Sequence, residues 1–221
     1  MNKTTLLTAA SIIALCAGSA SAVGPCVPSV AGRLDPFEST KMLYSQNSNY
    51  AGTFINSENF TSSFFLYTDQ AADDFVVPRG RTWRITEVDI SGQYQQGGNT
   101  AESENVSFYK DRSGMPGNAV KNGTFSNVNG TDAAGNFAIV LPGRGLKLKP
   151  GHYWVSVVIN TGFNGAIWGW DVASVRHGKQ AAWQNPEEGW GYGCQTWCAI
   201  ENAGASGPDL MFDLQGKSKL D

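Results

Sequence analysis

The sequence predicts an all-β protein, an antiparallel β-sandwich of jelly-roll-like type with about ten short strands. Three observations carry that reading. Glycine supplies 26 of the 221 residues, and Gly, Pro and Asn interrupt the apolar runs at short intervals, as turns between short strands require. Apolar side chains alternate with polar ones, and no long window keeps a helical period. Strand-like and helix-like patterns do not alternate either, which argues against a parallel sheet. Hydrophobic residues at 41% and aromatics at 11% exclude intrinsic disorder, which needs few apolar groups and high net charge.

Residues 1–22 read as a secretory signal: Lys3, an apolar run over 6–17, then Ala20, Ser21 and Ala22 before the expected cleavage. The apolar run is too short for a spanning helix, and no later stretch is longer. Cys16 follows Leu15 where lipid attachment requires a small residue, which argues against a lipoprotein. Residues 23–60, with Pro25, Pro28 and Pro36, read as a mostly irregular lead-in. The sandwich domain is expected over 61–221.

Within it, 64–67 and 74–77 are β-prone runs, the second stopped by Pro78 and Gly80. From Trp83 to Tyr94 the apolar parity shifts between Trp83 and Ile85 on one side and Val88 and Ile90 on the other. A bulge near Thr86 and Glu87 would return all four to the core. A strand over 106–109 enters the turn 111–117, and 119–125, 136–141 and 146–148 follow. The strongest strand is 152–160, with Tyr153, Val155, Val157 and Ile159 on one face and Trp154, Ser156 and Val158 on the other. Runs 166–172, 179–183 and 209–214 complete the set.

A formal net charge of -3 offers no basic footprint, so nucleic acid is not an expected partner, and no segment predicts membrane insertion. Export would place the chain where disulfides persist. Cys194 and Cys198 can close a small loop through C-Q-T-W-C, while pairing of Cys26 with either of them stays open. The cysteines with His152 and His177 lack zinc-site spacing.

Motifs for nucleophilic, zinc-hydrolase or phosphate chemistry are missing, so no catalytic residue is assigned. His152, after Pro150 and Gly151, reads as an exposed turn residue, and His177 as another. Asp69, Asp73 and Asp74 before a strand, and Asn127, Asn129 and Asp132 along a loop, are candidate sets for structural calcium, neither matching an EF-hand; otherwise the three aspartates cap turns and pair with Arg79, Arg81 or Arg84. No other cofactor is expected. Five of the seven tryptophans lie within 168–197. Trp168, Trp170 and Trp183, with Trp83 and Trp154, suit the core. Trp190, Tyr192, Gln195 and Trp197, with Asn185 nearby, read as a ligand site, since exposed indoles stack on sugar rings while neutral amides bond the hydroxyls.

Ala72-Asp73-Asp74-Phe75-Val76-Val77-Pro78, Val106-x-Phe108-Tyr109-x-Asp111, Leu148-x-Pro150-Gly151-x-Tyr153-Trp154 and Ala182-Trp183-Gln184-Asn185-Pro186 together resemble a broad group of uncharacterised secreted bacterial β-sandwich proteins. Some of that group are appended to extracellular hydrolases or end in an envelope sorting tail, a pattern from which the segment 217–221 departs. The resemblance implies secretion, periplasmic or extracellular, and a jelly-roll-like sandwich without established catalytic residues. The expected function is binding of an extracellular ligand, a glycan before a protein. The alternatives are a small hydrolase with a glycosidase-like carboxylate pair, or a structural, protein-interaction module.

Overall fold

A computed structural model describes residues 37–60, 62–95, 101–161 and 167–221; the signal segment, Cys16 and Cys26 lie outside them. In chain order the strands are β1 (Lys41–Ser45), β2 (Tyr50–Asn56), β3 (Glu58–Phe60), β4 (Gln70–Val77), β5 (Arg81–Ile90), β6 (Gly92–Tyr94), β7 (Ser103–Asp111), β8 (Pro116–Val128), β9 (Thr131–Ala133), β10 (Asn136–Val140), β11 (Leu146–Leu148), β12 (Gly151–Thr161), β13 (Trp168–Ala173), β14 (Ala182–Gln184), β15 (Cys198–Ala199), β16 (Asp209–Leu210) and β17 (Phe212–Leu220).

One layer is a seven-stranded sheet in the order β15-β14-β4-β12-β7-β8, with β3 added in parallel along the end of β12. Facing it are a six-stranded sheet, β1-β17-β5-β10-β9 with β11 on β5, and a four-stranded sheet, β16-β13-β2 with β6 on β13. These two are stitched at Ser91, between β5 and β6, and Met211, between β16 and β17: Ser91 N donates to Met211 O and Met211 N donates to Asp171 O. The all-β antiparallel sandwich is therefore as the alternation predicts.

The two layers bury one apolar core. Phe75, Val77, Phe108, Val155, Val157 and Ile159 come from the seven-stranded sheet and meet Trp83, Ile85, Val88, Ile139 and Leu214 of the six-stranded one. Phe75 stacks on Trp83 with ring centroids 6.4 Å apart. Trp168 and Trp170, two apart on β13, are both fully buried, and their indole N–H groups donate to Gly135 O and Met211 O at 2.8 Å each. Each large side chain so buried contributes about 1.5–3 kcal/mol. Trp154 departs from expectation: it lies on the opposite face of β12 with Ala72 and Ala182, apart from this core.

The expected bulge sits at Thr86. On β17, Gln215 pairs with Glu87 and the next residue, Gly216, with Ile85, so Thr86 is the extra residue and Trp83, Ile85, Val88 and Ile90 all turn inward. Two expectations fail. The lead-in is not irregular throughout, because β1, β2 and β3 occupy much of 41–60; β1 is a half-exposed edge strand on β17, so its apolar pattern is weak. The run 64–67 is not a strand but part of a 3-10 segment, Ser62–Tyr67, with Phe65, Leu66 and Tyr67 exposed.

Candidate functional site

Alternation along the strands gives the seven-stranded sheet a polar outer face. Ala71, Phe75 and Val77 of β4 and Val155, Val157 and Ile159 of β12 enter the core, so Gln70, Ser156, Val158 and Asn160 point the other way. Register places Ser107 of β7 opposite Ser156 and Gln184 of β14 opposite Gln70. The amides then bond one another. Gln184 Nε2 donates to Gln70 Oε1 at 3.0 Å, and Gln70 Nε2 donates to the Tyr109 hydroxyl at 2.8 Å and to Ser156 Oγ at 2.9 Å. Farther along, Asn59 Nδ2 and Asn105 Nδ2 donate to Asn160 Oδ1 at 2.9 and 2.8 Å, and Asn160 Nδ2 donates to Ser103 Oγ at 2.9 Å. These mutual bonds hold the side chains in one arrangement, as a preformed polar site requires.

Two open clefts follow this line. The first, about 320 Å³, is lined among others by Asn59, Asp69, Gln70, Asn105, Tyr109 and Gln184. The second, about 240 Å³, is lined by Asn59, Phe60, Glu102, Ser103, Asn127, Asn160 and Thr161. Asn59 belongs to both. Trp197, half-buried, meets the Tyr109 ring edge-on at 5.8 Å, so the first cleft has an aromatic border beside its amides. A roomier cleft of about 370 Å³, lined by Arg176, Gln180, Glu201 and small residues, has no aromatic ring.

The expected ligand residues divide between two places. The disulfide Cys194–Cys198, with Cα atoms 5.7 Å apart, closes the loop that presents Trp197 to the outer face. Trp190 and Tyr192 line a separate cleft of about 300 Å³ with Phe54, Asn56, Gln95 and Trp183. The Trp190 indole donates to Tyr67 O at 2.8 Å and meets the Tyr67 ring edge-on at 5.2 Å. Gln195 is exposed in the loop. Asn185 does not face a ligand: it is buried, donates to Leu66 O and Thr68 O at 2.8 Å each, and accepts from Trp190 N at 3.0 Å. It is a strut between the loop and the 3-10 segment.

Asp69, Asp73 and Asp74 do not converge. Asp73 Oδ2 accepts from Gln46 Nε2 at 2.6 Å and Leu210 N at 2.7 Å, inside the sandwich. Asp74 Oδ1 accepts from Lys179 N at 2.9 Å, and its Oδ2 meets His152 Nε2. Asp69 Oδ1 accepts from Glu58 N at 2.8 Å, while its Oδ2 is buried without a hydrogen-bond partner. Among the described residues, no group of three or more His, Cys, Asp or Glu is arranged to hold a metal ion. Arg81 pairs with Glu38 at 2.8 Å rather than with these aspartates. His152 is likewise no free turn residue, since its Nδ1 also stands 3.5 Å from Asp111 Oδ1.

Burial pushes several carboxyls up. Asp69 and Asp73 lie well above the ordinary range, Glu58 rises to about 8 and Asp209 to about 6, desolvation being the main cause in each. Glycoside hydrolysis needs two carboxyls flanking one bond. Of the acidic residues that line the two clefts on the outer face, Asp69 keeps its carboxyl buried against Glu58 N, and Glu102 borders the second cleft.

The amides at 59, 70, 105, 160 and 184 were not among the expected site residues. They come from five strands, and only the register joins them; the one sequence signal was the polar half of each alternating strand.

No helix of the described residues is long and apolar enough to cross a membrane. No protein family matches the sequence, and no curated protein does. Among solved structures, the chain is similar to the cysteine protease and lectin-like domains of a surface-layer-associated protein of Clostridium difficile, at 11% identity and a TM-score of 0.45, covering 69% of this chain and 32% of that one.

Proposed function

We propose that the protein is an exported, non-catalytic binding module that takes a glycan on the outer face of its seven-stranded sheet. One observation carries the reading: a hydrogen-bonded row of neutral amides and hydroxyls, bordered by Tyr109 and Trp197, runs along two adjoining clefts. Sugars present hydroxyls that such amides can bond on one side and C–H faces that suit an aromatic ring on the other. The Asp69 carboxyl is buried and Glu102 is the other acidic residue of the two linings, which favours binding over a glycosidase-like carboxylate pair. Export is supported by the signal-like residues 1–22 and by the disulfide.

Pull-down on insoluble polysaccharides, followed by titration with soluble oligosaccharides, tests this. The double variant Tyr109→Ala, Gln70→Ala should lose at least about tenfold in affinity, with Trp190→Ala, in the separate cleft, unchanged. Binding that survives the first variant and fails in the second would move the site to the Trp190 cleft.

A further inference from the structure

The 3-10 segment Ser62–Tyr67 buries none of its residues. Phe65, Leu66 and Tyr67 are 51%, 45% and 37% exposed, although side chains of this size usually turn inward. Trp190 meets the Tyr67 ring edge-on, and Tyr192, 49% exposed, lines the same cleft as Trp190. Five large apolar and aromatic side chains thus adjoin at the surface, the kind of patch that marks an interaction site.

The backbone beneath them is bonded as though water were absent. Phe65 O accepts from Thr68 N at 3.0 Å, and Leu66 O accepts from Gly189 N at 3.0 Å and Asn185 Nδ2 at 2.8 Å. Tyr67 O accepts from the Trp190 indole and Thr68 O from Asn185 Nδ2, both at 2.8 Å. A turn that stays in water can leave its carbonyls to solvent, so it has no need of four in succession with internal partners. A tip that leaves water does need them, because an unbonded carbonyl is costly in a lipid environment.

We propose that this tip docks on a lipid membrane with zwitterionic headgroups, Phe65 and Leu66 entering the headgroup layer and Tyr67 and Trp190 resting at the interface. Tyr and Trp favour that depth. The tip lies on the membrane and does not span it. Charge selects the lipid. Segments 49–70 and 180–206, which build the tip and its loop, contain Glu187 and Glu188 among their acids and no Lys, Arg or His, so nothing in them draws an anionic headgroup. A choline headgroup instead offers a cation to acids and ring faces. The cleft beside the tip, lined by Phe54, Trp183, Trp190 and Tyr192 among others, has no charged residue in its lining, and aromatic rings attract a quaternary ammonium.

Co-sedimentation with phosphatidylcholine vesicles, beside phosphatidylglycerol vesicles, tests this. The intact chain should sediment with phosphatidylcholine in low and high salt alike, because apolar burial holds it there. Lipids brominated near the headgroup should quench its tryptophan fluorescence, and Trp190→Phe should remove most of that quenching. The double variant Phe65→Ser, Leu66→Ser, at two exposed positions, should weaken vesicle binding at least about tenfold with an unchanged melting temperature. Tyr109→Ala, Gln70→Ala should sediment as the intact chain does, which separates this surface from the glycan site. A preference for phosphatidylglycerol, or release by salt, would overturn the proposal in favour of a basic face elsewhere. Absence of sedimentation with either vesicle would also overturn it, and a dimer lost in the Phe65, Leu66 variant would then assign the surface to a second copy of the chain.

Discussion

Gln46 shows how one side chain can hold two sheets together. It is 1% exposed, its Nε2 donates to Asp73 Oδ2 at 2.6 Å and to Leu210 O at 2.7 Å, and its Oε1 accepts from Tyr44 at 2.5 Å. The bonds join the chain after β1 to β4 and β16, and their loss leaves a buried aspartate under-satisfied. Gln46→Ala should cost about 1–3 kcal/mol, read as a lower urea midpoint with an unchanged slope. Residue types alone did not disclose this. Gln46 falls in the stretch read as an irregular lead-in, and its partners lie 27 and 164 residues away. Burial of Trp168, Trp170 and Trp183 was legible because each is a large apolar residue in an alternating strand. Asn185, polar beside aromatics, looked like a binding residue and is a strut, since sequence does not tell an amide facing solvent from one facing backbone.

At the level of elements, β5 and β17 show what patterning conveys. The parity shift around Thr86 was visible as a break in alternation, and the bulge follows from keeping four apolar side chains inside. Its counterpart was not visible: Gly216 lies so close to β5 that an added Cβ would stand 2.0 Å from Arg84 O. Gly216→Ala must therefore push the strands apart, and a loss of about 1–3 kcal/mol is expected, measurable by thermal denaturation. The 3-10 segment Ser62–Tyr67 was misread because Phe-Phe-Leu-Tyr has high strand propensity, which context overrides. Here Gly189 N and the Asn185 amide both donate to Leu66 O. The Cys194–Cys198 loop is small, so the chain-entropy gain from its bridge is about 2 kcal/mol. The double variant Cys194→Ala, Cys198→Ala should lose no more than that, and, on the proposed glycan-binding reading, should bind more weakly through a freer Trp197.

Across the whole molecule the buried carboxyls act together. Glu58, near 8 against an ordinary 4.5, and Asp209, near 6 against 3.8, hold protons in the folded state that the unfolded chain has already released. Their contribution to stability is present below the unfolded values and is lost as pH rises through the folded ones. Melting temperature should fall from about pH 5 to about pH 8.5, and Glu58→Gln, which keeps an acceptor for Trp168 N, should flatten the upper part of that fall. A melting temperature constant over this range would contradict the burial argument. The fold class was legible because it depends on period and punctuation along the chain. The outer face was not, because Gln70, Tyr109 and Gln184 meet only when β4, β7, β12 and β14 align.

One edge of that sheet bears on how the protein behaves in company. β8, thirteen residues long, ends the seven-stranded order, and a straight strand of that length would invite another chain to add to it. It is not straight. Asn122 and Asn127 take positive φ values of 58° and 52°, and the pairing with β7 shifts register three times. Each kink interrupts the row of outward amide and carbonyl groups, so no long template survives for a neighbour to copy. The same irregular edge that closes the sheet thus works against fibre-like self-association.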